Sequence, residues 1–109
     1  MEIRIIGTLA EDARFSITHT APHQGHLAVQ ITAAKGLPIV ATQNVGSNPS
    51  DHIAASAKAH ELRRGSRVTV YAAGATTQTD HGLACIRLHG VTEIIPETHQ
   101  HTEVDHAIA

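Results

Sequence analysis

Aromatic residues are almost missing from this chain. Phe15 and Tyr71 are the only two, and Trp is absent, so Ile, Val, Leu and Ala must supply the core. With 41% apolar residues among 109 positions, that core suffices for one domain and not for two. Cysteine is scarcer still. Cys85 stands alone, which rules out an internal disulfide and fits a reducing compartment. Its apolar, strand-like surroundings mark it as a buried packing residue rather than a nucleophile. No apolar run approaches the length that crosses a bilayer, and Met1 to Gly7 shows neither a basic leader nor a cleavage-site pattern. The expectation is a soluble, cytoplasmic protein with no membrane partner.

Catalytic patterns are also missing. There is no glycine-rich phosphate loop, no His-Glu-x-x-His helix and no nucleophile elbow around a Ser or Cys. Asp51-His52 reads as the start of a helix, not as a dyad. The ten histidines include a group at His19, His23 and His26 and another at His99, His101 and His106. Neither has the Cys partners or fixed spacing of a structural zinc site. The chain is therefore read as a non-enzyme with no metal and no cofactor.

Neither sign of charge dominates. The formal net charge is -2, yet Glu97, Glu103 and Asp105 all follow Pro96. Residues 1–96 hold eight Lys and Arg against seven Asp and Glu, a net charge of +1. Any nucleic-acid binding must then rest on local placement of charge rather than on a broad basic field.

What is present is strand periodicity. Ile3, Ile5 and Ile6 precede Gly7 and Leu9, and Phe15 to Thr18 resumes the pattern after the polar Glu11-Asp12, which predicts one long bent strand with a bend or bulge at Gly7. After a loop at 20–25, Leu27, Val29, Ile31 and Ala33 alternate with Ala28, Gln30, Thr32 and Ala34, a half-buried second strand. Lys35-Gly36 reverses the chain into a third strand, Leu37 to Thr42, with Pro38 at its start. A polar stretch from Asn44 to Pro49 leads to Ser50, a natural helix N-cap, with Asp51 in the first turn, an Ala-rich run to Leu62, and Gly65 as the stop. Val68 and Val70 alternate with Arg67, Thr69 and Tyr71 in a fourth strand, and Asp80-His81-Gly82 turns the chain into a fifth, Leu83 to about Ile95.

Three strands, one helix and a long hairpin are the order of a five-stranded Greek-key OB-fold barrel, with the helix between strands three and four. The fold class is thus all-β, with the OB domain over 1–96 and a flexible tail over 97–109. A βαβ fold is disfavoured by the single helix among five strands.

Two stretches carry a resemblance. The first is Ile3-Arg4-Ile5-Ile6-Gly7-Thr8-Leu9-Ala10-Glu11-Asp12, and the second is Leu62-Arg63-Arg64-Gly65-Ser66-Arg67-Val68-Thr69-Val70. In this order around a helix they resemble the bacterial single-stranded-DNA-binding protein family over nearly all of residues 3 to 95. Gly65 to Val70, with His81-Gly82-Leu83 and Leu88-His89, is similar also to primosomal replication protein N. The resemblance implies an OB-fold that binds single-stranded DNA in replication, recombination or repair. It implies a homodimer or homotetramer built on the first strand, Glu2 to Leu9, and contacts with replication or primosome proteins.

Single-strand binding needs cations for phosphates and flat surfaces for bases. Lys35, Arg67, Tyr71 and Arg87 are the leading candidates, followed by Arg14 and Phe15. Phe15 suits a core position better than a stacking platform, and Arg63 and Arg64 suit the helix C-terminus. The chain departs from the family in two ways. Leu37, Pro38 and Thr76 to Thr79 stand where the family carries Trp and Phe platforms, and the tail ends in Asp105-His106-Ala107-Ile108-Ala109 rather than in an acidic run with an apolar aromatic tip. Both departures favour a primosomal-type or accessory member, or a protein-interaction module whose DNA groove has degenerated.

Overall fold

The alternation of Leu27, Val29 and Ile31 with polar or small residues is borne out in space: all three are buried, and the residues between them are half-exposed. The computed structural model describes residues 2–32 and 36–97. It contains β1 (Ile3–Leu9), β2 (Arg14–Ile17), β3 (Gly25–Thr32), β4 (Ile39–Gly46), α1 (Pro49–Glu61), β5 (Arg67–Ala72), β6 (Gly74–Asp80), β7 (Leu83–His89) and β8 (Glu93–Pro96). The eight strands form one mixed sheet in the order β6-β7-β4-β3-β1-β5-β8, with β2 paired to β3. All described pairings are antiparallel except β4 with β7. The architecture is mostly β with a single helix, and the five expected strands are divided into eight segments. Of the expected tail, only Glu97 falls within the described residues.

The first expected strand breaks between Leu9 and Arg14 because its backbone is drawn to the end of the helix. Leu9 N–H donates to Ser66 O (2.8 Å), Gly65 N–H donates to Leu9 O (2.9 Å), and Ala13 N–H donates to Leu62 O (2.8 Å). Asp12 Oδ1 accepts from Arg64 N–H at 2.7 Å. The two stretches that carry the resemblance, some fifty residues apart, therefore meet as one backbone-paired corner. Asp12 also lies 3.6 Å from the Arg63 guanidinium, so Arg63 serves this corner.

Of the bend or bulge expected at Gly7, the bulge is absent from the pairing with β5. β1 runs in unbroken register with β5 from Ile3↔Ala72 to Thr8↔Arg67, and glycine is required because a Cβ there would run into Ile31 Cγ2. The third expected strand is also longer than its polar residues suggested. Leu27↔Gln43 and His26↔Asn44 pair in the sheet, since partner strands settle the conformation where propensity is weak. The helix begins earlier than expected. Asn48, not Ser50, is the N-cap, its Oδ1 accepting from Ser50 N–H at 3.0 Å, and Pro49 takes the first helical position.

The core is aliphatic, as the shortage of aromatics required: Leu9, Leu27, Ile31, Val68, Val70 and Ile94 are all but sealed from solvent, and Leu62 at the helix end joins them. At 0% exposure Leu62 is a plug held by its own backbone, its N–H donating to Lys58 O and Ala59 O and its carbonyl accepting from Ala13. The turn at His81-Gly82 has both residues at positive φ, 52° and 79°, the conformation of a two-residue hairpin whose twist matches its strands.

Candidate nucleic-acid interface

Residues directly opposite each other on neighbouring strands project from the same face of a sheet. Registers across β2, β3, β4 and β7 therefore define rows of side chains. Arg14 faces Ala28, which faces Thr42. Gln30 faces Val40, which faces Arg87. A further row runs Ser16, His26, Asn44. Along β3, Ala28 and Gln30 alternate with the buried Leu27, Val29 and Ile31, so these rows lie on the face turned away from the core.

One groove of about 190 Å³ takes in both arginines together with Glu11, Gln30, Val40 and Thr42. A second groove continues from Gln30 and Val40 to Pro38, Leu83 and Cys85 at the β6-β7 hairpin. Arg87 is half-buried and held in place, its Nε donating to Gln78 Oε1 at 2.9 Å across the hairpin. Arg14 is more open to solvent, its side chain 76% exposed and 3.7 Å from the Glu11 carboxylate. Exposed pairs of this kind are worth about 0–1 kcal/mol, so Arg14 remains available to an anion. The surface can neutralise two phosphates and offer amide and hydroxyl groups between them.

Comparison with known proteins adds no family. No protein-family model matches the chain, and no curated protein matches it.

Other candidates lie elsewhere. Arg67 and Tyr71 share a face, as their parity predicted, but it is the outer face of β1, β5 and β8. Tyr71 stands opposite Arg4 and Glu93 and is half-buried. Arg67 Nε donates to Glu97 Oε2 at 2.6 Å, so its charge is already matched. Neither is brought together with Arg14 and Arg87. Phe15 stands between Arg14 and Ser16 on the opposite side of β2 and sets its ring 5.8 Å from the His52 ring of α1, tilted by 59°. This is a packing contact at the helix, and His52 Nε2 is tied to Gly46 O at 2.7 Å. Lys35 lies outside the described residues, as do His99, His101 and His106. Among the described residues no three His, Cys, Asp or Glu side chains are placed to hold a metal, and no helix is long and apolar enough to cross a membrane.

Cys85 also differs from expectation. It is half-buried on the outward face of β7, opposite Gln78 and lining the second groove, rather than sealed in the core. Sequence reasoning passed over Gln30, Thr42 and Gln78 because they are uncharged. The signal that finds them is strand parity, which had already set Gln30 on the polar side of the second strand.

Proposed function

We propose that this chain is a non-catalytic, cytoplasmic OB-fold protein that binds single-stranded DNA through phosphates, with little dependence on base sequence. The observation that carries the reading is the pair of adjoining rows, Arg14-Ala28-Thr42 and Gln30-Val40-Arg87, which bring two arginines into one groove across β3 and β4. A five-stranded barrel is supported by how the sheet ends meet. β7 and β8, near its two ends, are joined by only Gly90, Val91 and Thr92. Thr92 N–H donates to Tyr71 O at 2.9 Å, and Ala73 N–H donates to His89 O at 2.9 Å. In this reading β1 and β2 are one bent strand, β5 and β6 are another kinked at Ala73, and β7 and β8 are a third. The parallel β4-β7 pairing then closes the ring.

A homodimer through the first strand fits the same reading. Ile3 to Gly7 pair with β5 on one side and with no described residue on the other, and Ile6 is 49% exposed. Similarity to the single-stranded-DNA-binding and primosomal replication protein N families agrees with this arrangement and suggests replication or primosome proteins as partners. A second reading, an OB-type module that binds a protein instead of DNA, is favoured by one observation. Both aromatic residues are turned away from the groove rows, so the stacking that is worth about 1–3 kcal/mol per base elsewhere is not supplied by them.

The deciding experiment is fluorescence anisotropy of a labelled oligo-thymidine titrated with the protein at low and moderate salt, with a duplex of equal length as control. Binding of the single strand alone, weakening with salt, is expected. No binding at micromolar protein in low salt overturns the reading in favour of a protein partner.

A further inference from the structure

β6 lies at one end of the sheet, and among the described residues it pairs only with β7. Exposed strand edges are usually guarded by charge, proline, bulges or brevity. The other sheet end, β8, is guarded in this way: it has four residues and carries Glu93 and Pro96. β6 is different. Its seven residues, Gly74-Ala75-Thr76-Thr77-Gln78-Thr79-Asp80, include no proline and no charge before Asp80, and Ala75 to Thr79 are all exposed.

The hairpin geometry says which backbone groups are free. Asp80 and Leu83 close a two-residue turn, so Asp80, Gln78 and Thr76 direct their N–H and C=O toward β7. Thr79, Thr77 and Ala75 then direct theirs outward. This edge is self-complementary. If two copies of β6 run antiparallel with Thr77 opposite Thr77, Ala75 of each copy falls opposite Thr79 of the other, and all the outward groups pair, giving about six backbone hydrogen bonds. Thr77 meets Thr77, a favourable cross-strand pair, and the charged Asp80 falls opposite Gly74, so no like charges face each other.

Among the described residues, the hairpin also has no third strand along much of its length. β7 pairs with β4 only at Ile86 and Arg87, while the hairpin continues to Asp80 and Leu83. A two-stranded ribbon is marginal by itself, and added strands stabilise it. We propose that β6 is a homotypic docking edge, joining two copies of this chain hairpin to hairpin in a continuous four-stranded sheet, β7-β6-β6-β7. The site is separate from the first-strand edge and does not depend on nucleic-acid binding.

The test is the molar mass of the full chain at high micromolar concentration, by size-exclusion chromatography with light scattering. Thr77→Lys and Thr77→Glu each set like charges against each other at the two-fold axis. Each variant is expected to fall to half the wild-type mass, and an equimolar mixture of the two is expected to recover it. Recovery in the mixture also shows that both variants are folded. Thr77→Pro, which removes an outward N–H and leaves the β6-β7 ladder its bonds, is expected to lower the mass as well. A monomeric wild type, charged variants that keep the wild-type mass, or a mixture that fails to recover it would each overturn the proposal.

Discussion

A methyl group at position 7 has nowhere to go. Ile31 Cγ2 fills that space, and Ile31 is itself only 1% exposed, so it has little freedom to yield. Gly7→Ala is expected to destabilise the fold by about 1–3 kcal/mol through overpacking, seen as a lower urea midpoint with an unchanged m-value. An unchanged midpoint would mean that Ile31 rotates away without cost. Asp12 acts through hydrogen bonding rather than shape. Its Oδ1 accepts the Arg64 N–H, a bond that closes the corner between β1 and the end of α1. Asp12→Ala is expected to cost about 1 kcal/mol. Asp12→Asn keeps an acceptor oxygen and loses only the exposed approach to Arg63, worth little, so it should recover most of the loss in a thermal melt. Equal melting of the two variants would show that the charge, not the acceptor, matters.

At the scale of elements, the helix is made by its ends more than by its sides. Only Ala55 is buried along it, and a helix of thirteen residues is marginal alone. Its start is fixed by Asn48, which accepts from both the Ser50 amide and the Ser50 hydroxyl. Its other end is fixed by Leu62 in the core. Asn48→Ala should cost about 1 kcal/mol and Asn48→Asp far less, because aspartate caps equally well. Thermal unfolding followed by circular dichroism separates the two, and equal loss in both would assign the start of the helix to Pro49 instead. The β6-β7 hairpin is the opposite case. Its turn is local, while the work of its flanks is to hold Arg87 against Gln78 and to present the β6 edge.

At the scale of the whole molecule, charge is arranged rather than accumulated. Arg67 is matched by a hydrogen-bonded Glu97 and Arg63 lies at the corner beside Asp12, so that Arg14 and Arg87 are the cations of the groove. If the groove binds a single strand, Arg14→Ala and Arg87→Ala should each weaken binding and each lower the slope of log affinity against log salt by about 0.7, the release expected for one phosphate. Arg67→Ala should leave the slope unchanged. Glu11→Gln, which removes a negative charge from the same groove, should strengthen binding. Anisotropy titrations at several salt concentrations read all four, and a slope that moves with Arg67 instead would relocate the interface to the outer face of β1 and β5.

Strand periodicity, glycine and asparagine chemistry and the shortage of aromatics by themselves determined that the chain is mostly β, where its helix lies, that its core is aliphatic, and that Asp80-His81-Gly82 turns tightly. These features are local, depending on side chains a few positions apart. What only the tertiary structure decided depends on residues distant in the chain. Asn44 reads as loop by composition but becomes strand once β3 offers it a partner. Cys85 reads as core from its apolar neighbours, yet its register opposite Gln78 turns it outward. Arg67 is as basic in the sequence as Arg87. Only the placement of Glu97 beside one and Gln78 beside the other distinguishes a neutralised cation from a free one, because pairing is a matter of distance in space that no local pattern encodes.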